Sequence, residues 1–175
     1  ATGERVSRPS DDPSAKQALL RNHEQLDQLQ MFDRNVQMAR KRLGYTEATF
    51  REVTDILQRG RDLALQATNE ATTKSDRKAI EQEARELLDH VAQLANERLE
   101  GEYVFSGTAT DHPAAIMEEN RNGTFSFSYQ GNTQGQRFEI ADGQTVAFDN
   151  AIKKTDSAMR QALESLAKLV EGFNE

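Results

Sequence analysis

Few residues in this chain have the type and spacing that chemistry requires. There are three histidines, His23, His90 and His112. Glu86 and His90 stand four apart, which on a helix brings a carboxylate and an imidazole to one face, a first step toward a metal site. No second histidine neighbours them and no HExxH is present, so a solvated pair is the plainer reading. Asp11 and Asp12 could be paired for acid–base work, but adjacent carboxylates just ahead of a helix commonly serve as caps. Arg40-Lys41-Arg42 is too short, and too far from any aromatic platform, to bind nucleic acid. The absence of cysteine removes disulfides, thiolate metal sites and Cys nucleophiles together. GxGxxG, GxxxxGK[ST] and GxSxG are all missing. These residues predict no enzyme, no catalytic site, no cofactor and no metal.

Composition narrows the partners. The 175 residues carry 22 Lys and Arg against 29 Asp and Glu, a net charge of −7, which disfavours general affinity for nucleic acid or an anionic membrane. No apolar run approaches the roughly 20 residues of a membrane helix, and no signal-peptide h-region opens the chain. Hydrophobic content is 36% and mean hydropathy −0.79. Those values are low for a compact globule, but the apolar residues are periodic, which argues for order. The chain opens at Ala1-Thr2-Gly3 without an initiator Met, and a fragment of something longer is expected.

The periodicity is strongest from Asp12 to Asn69. Leu29, Phe32, Val36, Ala39, Leu43, Thr46, Phe50, Val53, Leu57, Gly60, Ala64 and Ala67 recur at steps of three and four, one stripe of a helix. A helix over about 14–69 would be a rod of roughly 80 Å, and sustained 3–4 spacing calls for partner helices along it. Asp12-Pro13 reads as its start. Gly60 falls on the stripe, where a neighbouring backbone could approach. After a turn at 69–74, Ser75 is expected to cap a second helix over about 76–100, stopped by Gly101, with Ile80, Ala84, Leu87, Val91 and Leu94 on its face. The short turn predicts an antiparallel hairpin.

From Tyr103 the period changes. Tyr103-Val104-Phe105, Thr124 to Tyr129, Gln136 to Ala141 and Thr145 to Phe148 read as short strands, with Asn122-Gly123 and Asp142-Gly143 as hairpin signals. The segment with Asp111-His112-Pro113 reads as a loop. Helical spacing returns with Ile152, Met159, Leu163, Leu166, Val170 and Phe173. The predicted fold is mainly α, a long helical hairpin rod over 1–102 with a small β element over 103–150 and a C-terminal helix over 151–175.

Three blocks carry a resemblance. Gly3-Glu4-Arg5-Val6-Ser7-Arg8-Pro9-Ser10-Asp11-Asp12-Pro13, Arg61-Asp62-Leu63-Ala64-Leu65-Gln66-Ala67-Thr68-Asn69 and Gly101-Glu102-Tyr103-Val104-Phe105-Ser106-Gly107 resemble, in order and spacing, the flagellin superfamily over about residues 1–110. The Arg-Pro-Ser-Asp-Asp-Pro form is similar to its hook-associated branch, the hook–filament junction proteins. The C-terminal helix lacks the usual family ending, a stretch like G-x-x-x-N-R-L.

The resemblance implies a structural subunit of the bacterial flagellum that joins hook and filament by helix packing. It implies an extracellular location, reached by the flagellar type III route without a cleaved signal. The implied partners are other copies of itself, the neighbouring hook-associated protein, flagellin and an export chaperone. It further implies that Arg8, Pro9, Ser10, Asp11, Asp12 and Pro13 contact neighbouring subunits. The alternatives are a flagellin filament subunit and, from a different class, a cytoplasmic coiled-coil adaptor.

Overall fold

The structure is a computed structural model that describes residues 13–69, 72–132 and 134–173. It is mainly helical, with a long first helix and a small antiparallel β region, as the periodicity predicts. Helix α1 runs Pro13–Ala67. Proline suits the first turn, where its missing N–H costs nothing, and no further proline interrupts the helix. α1 ends where Asn69 N–H turns back to Gln66 O at 3.2 Å and the Thr72 hydroxyl donates to the same carbonyl at 2.8 Å.

Helix α2 spans Lys74–Ala95, and both of its ends differ from the sequence expectation. The cap is Thr73, not Ser75. The Thr73 hydroxyl accepts from Asp76 N–H at 3.2 Å, and the Asp76 carboxylate accepts from Thr73 N–H at 3.0 Å. This reciprocal box satisfies two donors that the first turn leaves open. At the other end α2 stops at Ala95, short of the expected 100, because Asn96 is recruited elsewhere. Its Nδ2 donates to Ala115 O at 2.7 Å while its Oδ1 accepts from Ala115 N–H at 2.9 Å. Gly101 is therefore not a helix cap. It lies with Glu100 in a two-residue turn, φ +92° and +56°, between strands β1 (Arg98–Leu99) and β2 (Glu102–Tyr103). Two positive φ angles suit a tight hairpin, and glycine takes one without steric cost.

Strand β3 (Ala115–Glu119) pairs antiparallel with β4 (Phe125–Tyr129), Met117 opposite Phe127 and Glu119 opposite Phe125. β3 lies just after the predicted loop and was not expected, since Ala, Met and Glu carry little strand preference. Strands β5 (Arg137–Ala141) and β6 (Gln144–Ala147) form a third two-stranded sheet around Asp142-Gly143, and helix α3 covers Asp149–Glu171.

Contacts divide the chain into two compact units, Ala1–Arg40 with Phe138–Val146, and Lys41–Arg137 with Ala147–Glu175. In the second unit Val53, Ile56 and Leu63 of α1 meet Ala84, Leu88 and Val91 of α2 and Leu163, Leu166 and Val170 of α3. Each large aliphatic side chain buried here contributes about 1.5–3 kcal/mol relative to exposure. Phe125, Phe127 and Tyr129 pack on the same core, while Ser126 and Ser128 face water. Gly60 sits on the buried side as expected, but its neighbour is a side chain, not a backbone: an added Cβ would lie 2.7 Å from Leu166 Cδ2.

Candidate assembly surface

Every residue of α1 from Ser14 to Met31 is exposed. Within that stretch Leu19, Leu26 and Leu29 are separated by seven and three residues and stand 57%, 53% and 66% open to water. Such spacing aligns them on one side of the helix. The line continues at Phe32 and Val36. Leu20 and Met31, also exposed, lie on a second line beside it. Leu29 was expected to sit on the covered stripe; here it lies just outside, because cover begins only one turn later. Phe32 and Ala39 are buried, and Asn35 between them donates from Nδ2 to Glu139 O at 2.7 Å. Phe138, Glu139, Ile140 and Ala141 are half-buried, so strand β5 covers this part of the first unit.

In the second unit the stripe is displaced by one residue. Leu43, predicted inside, is 44% exposed, and Arg42 beside it is buried. The guanidinium donates from Nη2 to Val104 O at 2.6 Å and from Nη1 to Gln136 Oε1 at 2.9 Å. Burial lowers its pKa, and attraction to Glu102 partly restores it. One turn on, the Tyr45 hydroxyl donates to Glu97 Oε2 at 2.6 Å. Burial and the Glu97 carboxylate push that phenol well above its ordinary range. These groups fix the second half of α1 to the segment around residues 97–104. They carry no reactive arrangement; they are a scaffold for the helix.

The residues with chemical potential lie apart. His90 Nε2 is 3.0 Å from Glu52 Oε1, both half exposed. Glu86 instead accepts from Gln82 at 3.2 Å. His112 lies 3.3 Å from Asp111, and His23 is exposed on α1. Among the described residues no three His, Cys, Asp or Glu side chains converge as a metal site. Lys41 pairs with Glu100, so the Arg40-Lys41-Arg42 triplet is split between a surface ion pair and a buried clamp. Arg8, Pro9, Ser10, Asp11 and Asp12 lie outside the described residues, and Pro13 opens α1.

An apolar pocket lies between α2, α3 and the β3–β4 sheet, lined by Ala95, Phe105, Phe127, Tyr129, Met159 and Leu163 among others. Its lining offers no convergent acid and base. No described helix is long and apolar enough to cross a membrane.

Comparison with known proteins matches this architecture. Residues 1–110 fit the family described as the bacterial flagellin N-terminal helical region. Flagellin FlaB1 of Treponema pallidum (strain Nichols) is 28% identical over 187 residues, covering 97% of this chain and 65% of that protein. The chain thus spans a little under two thirds of that relative's length. The flagellar junction protein FlgL from Legionella pneumophila superposes with a TM-score of 0.58 at 25% identity, over 78% of this chain and 40% of that one. A putative flagellar hook-associated protein from Vibrio parahaemolyticus has the same fold, with a TM-score of 0.67 at 21% identity over 94% of this chain and 85% of that one.

Proposed function

This chain belongs to the bacterial flagellin family, and we propose that within it the protein is the structural subunit joining hook to filament. The observation that carries the assembly reading is the uncovered line Leu19, Leu26 and Leu29 on α1. Most helical stability in proteins comes from packing an apolar face, and a row of exposed leucines is a surface for partner helices. The junction role draws support from the Arg-Pro-Ser-Asp-Asp-Pro form of residues 8–13 and from the name borne by the Legionella structure. In this reading the α1 face packs against neighbouring copies, the adjacent hook-associated protein and flagellin, with Arg8, Pro9, Ser10, Asp11, Asp12 and Pro13 contributing contacts. An export chaperone would hold the subunit beforehand. The protein would work outside the cell, exported by the flagellar type III route without a cleaved signal, and would assemble without catalysing a reaction.

One observation favours a second reading. The Treponema relative is a flagellin, so the chain could form the filament itself. A filament subunit would polymerise alone when purified; a junction subunit would need hook-side partners.

Cells lacking the gene provide the test. The junction reading expects them to release flagellin into the medium without attached filaments, and the full-length gene to restore attachment. Complementation with Asp11→Ala/Asp12→Ala that folds but fails to attach filaments would assign those carboxylates to assembly. Null cells that carry normal filaments would overturn the junction reading.

A further inference from the structure

The β3–β4 hairpin carries the one Asn-Gly pair in the sequence, Asn122-Gly123. We propose that Asn122 is a self-modifying site, losing its side-chain amide through a succinimide to become aspartate or isoaspartate without an enzyme. The loop is closed by Asn120 N–H donating to Thr124 O at 2.8 Å and by Gly123 N–H donating to Asn120 O at 2.9 Å. Gly123 has φ +78°, a left-handed position in which glycine is unstrained. Asn122 at the tip is exposed, so water reaches its carboxamide.

The hydrogen bonds around that carboxamide are directional. Asn122 Oδ1 accepts from the Thr124 hydroxyl at 2.8 Å and from Thr124 N–H at 3.3 Å. The same hydroxyl accepts from Asn120 Nδ2 at 3.1 Å, which strengthens it as a donor. Two donors on one carbonyl oxygen make its carbon more electrophilic and hold the negative charge that attack places on the oxygen. The attacking atom is the next backbone nitrogen, that of Gly123, where no Cβ obstructs ring closure.

The step balances with water alone. Gly123 N gives its proton to hydroxide and bonds to Asn122 Cγ, while the charge on Oδ1 rests on the Thr124 donors. The Cγ–Nδ2 bond then breaks as Nδ2 takes a proton from water, which regenerates the hydroxide, and the nitrogen leaves as ammonia. Water opens the five-membered imide at either carbonyl, giving aspartate or isoaspartate. Gly123 N–H leaves Asn120 O in an opening that precedes the chemical step. Either product adds one negative charge beside the exposed Glu118 and Glu119, and isoaspartate also lengthens the backbone inside the turn.

The whole chain, incubated at mildly alkaline pH in water enriched in heavy oxygen, would be digested and mapped by mass spectrometry, with isoaspartate detected by its specific methylation. The expected result is labelled acid at Asn122 ahead of every other asparagine. Gly123→Ala should slow it by roughly tenfold or more through steric hindrance. Because alanine is strained at that φ, Thr124→Val is the cleaner variant: it keeps the β-branched shape and removes only the hydroxyl. It should slow conversion about three- to tenfold, the factor that one net hydrogen bond represents. Faster conversion at another asparagine, or a Thr124→Val rate equal to or above the parent's, would overturn the proposal.

Discussion

Arg42 Nη2 donates to the carbonyl of Val104 at 2.6 Å, joining residues 62 apart in sequence inside a buried setting. Replacing Arg42 with Met keeps much of the apolar stem but leaves that carbonyl unpaired. The loss should be about 1–3 kcal/mol, read as a lower denaturant midpoint at unchanged slope. Arg42→Lys should recover only part of it, because one ammonium cannot reproduce a planar fork reaching both Val104 O and Gln136 Oε1.

Gly107 has φ +76°, and a Cβ there would lie 2.2 Å from Asn132 O. Gly107→Ala therefore meets backbone strain and a collision with main chain at once, and should cost at least about 2 kcal/mol. Gly143 has φ +66° with open space around it, so Gly143→Ala should cost about 1 kcal/mol. Thermal unfolding of the two variants side by side would check the order.

Two glycines of α1 should respond with opposite sign. A Cβ at Gly44 meets nothing within 4 Å, so Gly44→Ala should stabilise by about 0.5–1 kcal/mol through helix propensity. At Gly60 the same gain is opposed by Leu166 Cδ2 at 2.7 Å in a close-packed core. Overpacking there costs about 1–3 kcal/mol, so Gly60→Ala should lower the midpoint.

The cap of α2 sets a pH dependence. Hydrogen bonds from the Thr73 hydroxyl and Thr73 N–H lower the Asp76 pKa. A carboxylate with a depressed folded pKa contributes stability above its unfolded value and loses it as pH falls through the folded one. The stability gap between the parent and Asp76→Asn should be widest above the ordinary carboxylate range and narrow as pH drops through it. A gap independent of pH would sink this assignment.

The exposed leucines should matter to partners and not to the isolated subunit. Leu26→Lys/Leu29→Lys should shift stability by no more than about 0.5 kcal/mol per site, while filament attachment in complemented cells is lost. A large fall in stability with attachment retained would mean these side chains serve the fold.

Much of the architecture was legible because period alone carries it. α1, α3 and the alternation from Phe125 to Tyr129 follow from where the apolar residues recur. What escaped were features set by single polar groups acting over distance. Asn96 ends α2 by pairing with Ala115, and nothing local in the sequence marks it. Ala115–Glu119 becomes a strand because β4 pairs with it, against its own preference. Arg42 lies in a basic triplet that looks like surface, and its burial shifts the covered stripe so that Leu43 faces water. A stripe tolerant of either residue at that turn is visible only once Val104 and Gln136 are in place. The assembly surface was half legible: the leucines were on the page, but which of them the chain covers itself depends on strand β5 at Glu139.

The stretch from Ser14 to Met31, helical yet uncovered, has a thermodynamic consequence. With every side chain from Ser14 to Met31 open to water, their order draws mainly on local hydrogen bonds and side-chain propensity and little on burial. Fixing each residue opposes association by about 1–2 kcal/mol of backbone entropy if the coil is populated beforehand. A partner helix would then bind and order the segment in one event, with affinity lower than the contact area suggests. Growth of such an assembly would depend steeply on subunit concentration, and dilution would return the helix to its coil equilibrium.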